Sequence, residues 1–351
     1  LPCGVYIFIL INNNKVLAKG KVLIVGKGKV SMTKIYEDFF KLILITILVL
    51  FSINTNIFAA SYYDLITELG SSARMISLGN IEGFDYSSSA IFENPASLGL
   101  AKDFSAGIFS TTLIDEVTYY AISASYRSQY GMLGIGIMAA SVDDIAITSQ
   151  EQSSIIKQVY ATEYTNYLNS ILKIAYQYSL NKNWHAGLAI SSYLHKLHTV
   201  YGAGLDTDTG VFYTSDNLAI SFCLKNLLSS PIVYNNDYEE KLPQQMVTSV
   251  MYNLDEYSFM VQVKKPQPNL NMTRAIGIGY KPRIFNSLFN VYVGYREFYV
   301  LEKPKNGVSF GIGLDLNLIN FYAASNKSDY YNQDNNIYFS ANVSFDEIIN
   351  N

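Results

Sequence analysis

From Phe104 onward, hydrophobic and polar residues alternate one for one along much of the chain. In Leu172–Leu180 one set is Leu172, Ile174, Tyr176, Tyr178 and Leu180, and the other is Lys173, Ala175, Gln177 and Ser179. Leu218, Ile220, Phe222 and Leu224 alternate in the same way with Ala219, Ser221, Cys223 and Lys225, and Val308, Phe310, Ile312 and Leu314 with Ser309, Gly311, Gly313 and Asp315. A period of two sends alternate side chains to opposite faces of a strand, so these stretches are predicted to be strands with one apolar and one polar or small face.

About fourteen such segments are present, near 104–113, 116–128, 131–142, 165–180, 184–201, 204–215, 217–226, 243–254, 257–266, 273–281, 288–298, 307–316, 318–326 and 336–345. An even number suits a closed up-and-down barrel. The connections support this: long polar ones, such as Val142–Tyr164 and Leu227–Leu242, alternate with tight turns such as Asn181–Asn183 and Asp255-Glu256. Short turns on one side and long loops on the other are the pattern of bacterial outer-membrane barrels. The expected fold class is therefore all-β, a closed antiparallel transmembrane β-barrel over residues 104–345, followed by a tail at 346–351. Aromatic residues near segment ends, among them Tyr119/Tyr120, Tyr176/Tyr178, Tyr193, Phe212/Tyr213 and Tyr295, are expected to form interfacial girdles, or simply to reflect the strand preference of tyrosine.

Charge divides the chain. Residues 1–61 carry seven lysines against Glu37 and Asp38, a net of +5, which leaves −9 for the remainder of a chain of net −4. A basic leader on an acidic body points to targeting and away from nucleic acid. Leu42–Phe51 is an apolar run of ten residues, preceded by Lys34 and Lys41 and followed by Ala59-Ala60-Ser61. That is too short to span a bilayer comfortably, so 32–61 is expected to be a signal peptide, with a membrane anchor reaching Phe58 as the alternative, Met32 as the start of translation and 1–31 an upstream extension. Only Cys3 and Cys223 occur, so no intrachain disulfide is expected in the mature chain.

Between leader and barrel, Gly70–Leu100 has no period of two. It carries Gly70-x-x-Ala73-Arg74-x-x-x-Leu78-Gly79, then Ser88-Ser89-Ala90, then Asn94-Pro95-Ala96-Ser97-Leu98. These motifs, with Asp206–Tyr213, Leu218–Leu227 and Leu242-Pro243-Gln244 downstream, resemble the FadL-like outer-membrane proteins and their PorV/PorQ relatives. Two departures are Ser97 where glycine is usual and the six residues beyond Phe345. The resemblance implies fourteen strands with an amino-terminal hatch in the lumen, here residues 62–103. It also implies one of two roles in the bacterial outer membrane: passage of a hydrophobic or amphipathic small molecule (FadL-like), or a shuttle or scaffold for secreted proteins (PorV-like).

Candidate site residues follow from the faces. Gly134/Gly136, Gly277/Gly279 and Gly311/Gly313 lie opposite the apolar side, where missing side chains would admit the backbone of the hatch or ease strand curvature. Arg74, Asn94, Pro95 and Ala96 are the hatch residues of interest: a buried arginine needs a partner, and a residue before proline is held extended or in a turn. Lys173, Arg296 and Asp315 are expected to be lumen charges. His195 and His198, three apart, would face opposite ways on a regular strand, so no metal site or cofactor is expected. His185 beside a serine lacks a recognisable acid, and Gly20–Lys29 departs from a phosphate loop, so no enzyme is expected. The expected partners are outer-membrane lipid, a hydrophobic small molecule or secreted proteins.

Overall fold

The computed structural model describes residues 4–12, 15–24, 65–113, 115–152, 157–266, 271–282, 289–300, 303–328 and 336–346. Two units are present, Leu1–Thr55 and Asn56–Asn351. In the first, β1 (Gly4–Asn12) and β2 (Lys15–Ile24) form an antiparallel hairpin within the stretch read as an upstream extension. The apolar run Leu42–Phe51 and the whole expected signal peptide lie outside the described residues.

The second unit is a closed antiparallel barrel. Its wall consists of β3 (Phe104–Leu113), β4 (Val117–Ser128), β5 (Gly131–Gln152), β6 (Lys157–Ser179), β7 (Trp184–Leu197), β8 (Val200–Thr214) and β9 (Leu218–Lys225). After the short strands β10 (Ile232–Tyr234) and β11 (Glu239–Glu240) the wall resumes with β12 (Gln245–Leu254), β13 (Tyr257–Pro266), β14 (Thr273–Tyr280), β15 (Phe289–Val300), β16 (Lys303–Leu316), β17 (Ile319–Ser328) and β18 (Asn336–Phe345). Consecutive wall strands pair, β9 bridges β8 and β12, and β18 pairs with β3, Phe345 opposite Phe104, so the ring closes at fourteen strands. Closure removes the sheet edges that would otherwise expose unpaired backbone.

Two connections differ from the sequence expectation. The stretch Val142–Tyr164 is mostly strand: β5 and β6 run on past the barrel as a paired ribbon to Gln152 and Lys157, with bulges after Val142 and Ile147. Period-two patterning fades there because neither ribbon face has a lipid or lumen side to choose between. Strands β7 and β8 meet at His198-Thr199 and not at 202–203. His198 takes a φ of 54°, as do Asp255 (52°) and Asn317 (52°) at other two-residue turns, the left-handed geometry that tight hairpins favour. His198 therefore belongs to a turn, and Gly202 and Gly204 belong to β8.

The faces segregate strongly. Ile135, Ile174 and Ile190 are paired across β5, β6 and β7 and all point outward, each about half exposed. The inward neighbours Gly134, Gly136, Lys173, Ala175 and Ala189 are buried. Such an apolar exterior suits a lipid solvent. The girdle expectation needs correction for Tyr119, Tyr193 and Phe212, all buried inside; in the adjacent pairs Tyr119/Tyr120 and Phe212/Tyr213 the alternation forces one ring inward, and Tyr193 shares the inward parity of Ala189 and Ser191. Tyr176, Tyr178 and Tyr295 do face outward. Ile174→Arg should destabilise the folded barrel by about 2–4 kcal/mol, measured by denaturant titration in lipid vesicles.

Candidate functional site: the hatch and the lumen wall

Residues 65–101 fill the lumen with short turns. These are α1 (Leu65–Glu68), α2 (Ala73–Ser77) and the 3-10 turns Ser88–Phe92 and Pro95–Leu100. Each of the last three starts on a capping side chain: Ser72 accepts from Met75 N, Ser87 from Ser89 N, and Asn94 from Ala96 N at 2.9 Å. Capping residues every few positions break the chain into turns too short for an amphipathic period. Asn94 is extended (φ −143°, ψ 116°), the geometry that Pro95 requires of it, and Pro95 opens the turn.

Asn94 also ties the hatch to the wall. Its Nδ2 donates to Ser221 Oγ at 2.8 Å and lies 3.3 Å from the carbonyls of Val211 and Phe222. Pro95 and Ala96 lie against Gly187, and Asn94 against Gly210; a Cβ at either glycine would overlap them. Of the glycines expected to admit the hatch, Gly134 faces Leu98 and Ile91, Gly136 faces Phe92, and Gly277 faces the Leu78 carbonyl at 3.0 Å from an added Cβ. Gly279 does not: its neighbours are Tyr292 and Ser258 of the wall. Gly313 likewise faces wall tyrosines, whereas Gly311 faces Ser77. Backbone meets backbone at Gly294, where a Cβ would overlap Leu78 and the Gly79 backbone. The clue in sequence was a small residue at an inward position, but Gly187, Gly210 and Gly294 stand singly, outside any Gly-x-Gly pair.

Arg74, buried in the first turn of α2, donates Nη1 to the Phe84 carbonyl at 2.6 Å and lies over the rings of Tyr86 and Tyr292, 5.0 and 5.8 Å from their centroids. Its partners are thus a carbonyl and two π faces. Asp85 stays with Ser72 and Ser87.

The lumen charges are paired. Lys173 Nζ meets Asp208 Oδ2 at 2.5 Å. Asp315 is bonded by Asn290 Nδ2 and Tyr322 OH, with Lys281 at 3.7 Å. Arg296 stacks on Phe298 and reaches the Glu68 carbonyl. The structure adds a knot that sequence reading missed. Glu82 of the hatch pairs with Lys225 of β9 and Lys264 of β13, and Lys264 also meets Glu68 at 3.0 Å. Lys225 in turn donates to the Phe92 carbonyl at 3.0 Å. All three members of the knot are buried. Alternation placed Lys225 on the polar face of its strand, but only the fold could bring Glu82 between it and Lys264.

Glu93, also in the hatch, accepts from Gly83 N at 2.7 Å. Burial first, and then the nearby Asp85 and Glu82, push its carboxyl up to about 8. As for hydrolytic chemistry, Ser179 Oγ lies 2.9 Å from His185 Nδ1, but the other neighbour is the amide of Gln177, where a triad would need an acid. Among the described residues, no cluster of three metal-ligating side chains occurs.

Glu82→Gln should leave two buried lysines undercompensated and loosen the hatch by about 3–5 kcal/mol, visible as faster hydrogen exchange at 70–100 while the strands stay protected. Glu93 gives a pH signature. Because docking raises its pKa, the stabilisation is complete below its ordinary value near 4.5 and is lost as pH rises towards 8. Hatch protection in wild type relative to Glu93→Gln should therefore fall across that window and level off above it.

No protein-family model matches this chain, and no curated protein matches its sequence. Solved structures do match its fold. The toluene transporter TodX of Pseudomonas putida superimposes with a TM-score of 0.53 at 13% identity, over 81% of this chain and 99% of that one. A deltaS2 mutant of TodX, described as a monoaromatic hydrocarbon channel, gives 0.52 at 12% identity, over 81% and 100%. At such identities the likeness is one of architecture: the chain shares the closed β-barrel fold of these channel structures.

Proposed function

We propose that this protein resides in the bacterial outer membrane and passes a hydrophobic or amphipathic small molecule through a lumen gated by the hatch at 62–103, after removal of a signal peptide at 32–61. One observation carries the reading: within the lumen, wall and hatch share a continuous apolar cluster alongside the buried polar groups. Phe109, Tyr119, Met132, Met138, Ile171 and Tyr193 of the wall are buried in one cluster with Ile66, Ile76, Ile91, Phe92 and Leu98 of the hatch. Barrels that conduct polar solutes keep wet, polar interiors. An apolar lane suits a solute that loses little on leaving water. The architectural likeness to a toluene transporter supports the same reading.

Around that lane the hatch is held mainly by hydrogen bonds and ion pairs, which can exchange partners without a gap opening in a packed core. In this reading Arg74, Asn94, Pro95 and Ala96 are the hatch's structural anchors, Gly134, Gly136 and Gly277 its seat, and Lys173, Arg296 and Asp315 part of the polar frame. A second reading, the PorV-like shuttle for secreted proteins, draws on the ribbon formed by β5 and β6 beyond the barrel, which offers paired strands as a contact surface.

Locking the hatch tests passage directly. Ser88 of the hatch and Ser123 of β4 bring their hydroxyls to 2.8 Å. Ser88→Cys with Ser123→Cys, in a Cys223→Ala background, should form a disulfide that cuts uptake of labelled toluene into proteoliposomes at least tenfold, with recovery on reduction. Undiminished uptake through the locked barrel would defeat the gating role. Co-purification of exported proteins, lost when the β5–β6 ribbon is trimmed, would favour the shuttle.

A further inference from the structure

We infer that the outer end of the lumen carries a subsite for a hydroxyl group, centred on His195, so that the molecule taken up has an O–H head on an apolar body. This deepens the passage reading and rests on it for the direction of transport, though not for binding.

The subsite is a rung across four paired strands. Asn169 of β6 is opposite His195 of β7, His195 is opposite Gly202 of β8, and Gly202 is opposite Tyr234 of β10. Glu240 of β11 lies opposite Ile232, two residues before Tyr234 on the same face. The rung is fitted together: a Cβ on Gly202 would stand 2.7 Å from the Tyr234 ring, so glycine is what lets that ring lie next to the imidazole. Ile232 and Leu242, both buried, cover the rung with apolar surface alongside Tyr193.

Its hydrogen bonds run in one direction. The Tyr234 hydroxyl donates to Glu240 Oε2 at 2.8 Å, so towards His195 the same oxygen accepts. His195 Nδ1, 2.8 Å from it, is therefore the donor. A neutral ring that keeps its proton on Nδ1 presents Nε2 as a lone-pair acceptor. His195 is only 8% exposed, and Nε2 has no hydrogen-bond partner. A buried acceptor without a donor is costly, and the cost disappears when a donor arrives. An alcohol, phenol or protonated carboxylic acid supplies one; a pure hydrocarbon cannot. Sites built to bond a hydroxyl discriminate against analogues lacking it more sharply than apolar pockets discriminate by size.

The test uses p-cresol and p-xylene, which have nearly the same shape and differ by hydroxyl against methyl. Calorimetric titration of the full-length protein in detergent should show p-cresol favoured by about tenfold, the effect of one buried hydrogen bond. His195→Phe should abolish that preference by weakening p-cresol alone; comparing ratios between variants cancels partition into micelles. Tyr234→Phe removes the acceptor that holds the proton on Nδ1, so the ring can present N–H at Nε2. That variant should lose its preference for p-cresol and gain affinity for 4-methylbenzaldehyde, which only accepts, a reversal that mere loosening would not produce. Equal binding of p-cresol and p-xylene by wild type, or a preference that survives His195→Phe, overturns the subsite. Selective p-cresol binding without uptake of either compound into vesicles would keep the subsite and remove the passage reading. Uptake of both without preference would do the reverse.

Discussion

The structure depends on one carboxylate held between two ammonium groups. Lys225 and Lys264 are buried on the lumen side of β9 and β13, and their ion pairs are made with carboxylates of the hatch. Burying an uncompensated charge costs far more than most single contacts return. Glu82, carried on a segment that belongs to no strand, pairs with both, and Glu68 of the same segment adds a second carboxylate at Lys264. The barrel wall is thus electrostatically incomplete without the hatch. The hatch has the converse need, since it is too short in every turn to hold itself together.

Around that knot the fit is set by side chains that are missing. Gly187 and Gly210 receive Asn94, Pro95 and Ala96, and Gly294 receives the backbone at Leu78 and Gly79. Gly79 N donates to Ser309 Oγ at 3.1 Å, so the close approach also satisfies a buried amide. Ion pairs fix orientation and glycines permit proximity, while the apolar cluster spanning Phe109, Ile171 and Phe92 adds area without direction. A segment anchored in these different ways can have its polar contacts exchanged one at a time while the apolar contact keeps it in place.

The wall was far more legible in the sequence than what it encloses. Period-two patterning located fourteen strands because lipid and lumen impose opposite demands on alternate residues, and this holds from Leu172 to Phe345. Where that opposition ends, legibility ended too: the β5–β6 ribbon read as a loop, and the turn at His198 was misplaced because Tyr201 kept the alternation going. The lumen was half legible. Inward charges such as Lys173 could be named from parity, but parity cannot say that Asp208 faces Lys173 or that Glu82 reaches Lys225, since those are distances between elements far apart in sequence. Gly279 shows the opposite error, an inward glycine whose neighbours are other wall residues.

The stretch after β9, read as a polar loop, carries the short strands β10 and β11, which pair onto the extension of β8. β9 ends at Lys225, and above that level β8 changes partner and pairs with β10. The change occurs at Asn226, which takes a φ of 55°. Its N–H donates to Asp208 Oδ1 at 3.0 Å, and its Nδ2 donates to the Pro243 carbonyl at 2.8 Å. Asp208 is the partner of Lys173, while Lys225, the preceding residue, holds Glu82 and the carbonyl of Phe92. Two consecutive residues therefore join the hatch, the lumen ion pairs and both ends of the strand pair that covers His195. A displacement of the hatch that frees Lys225 acts on the residue that positions that cover, so the closed lumen and the covered rung belong to the same arrangement of this one short segment.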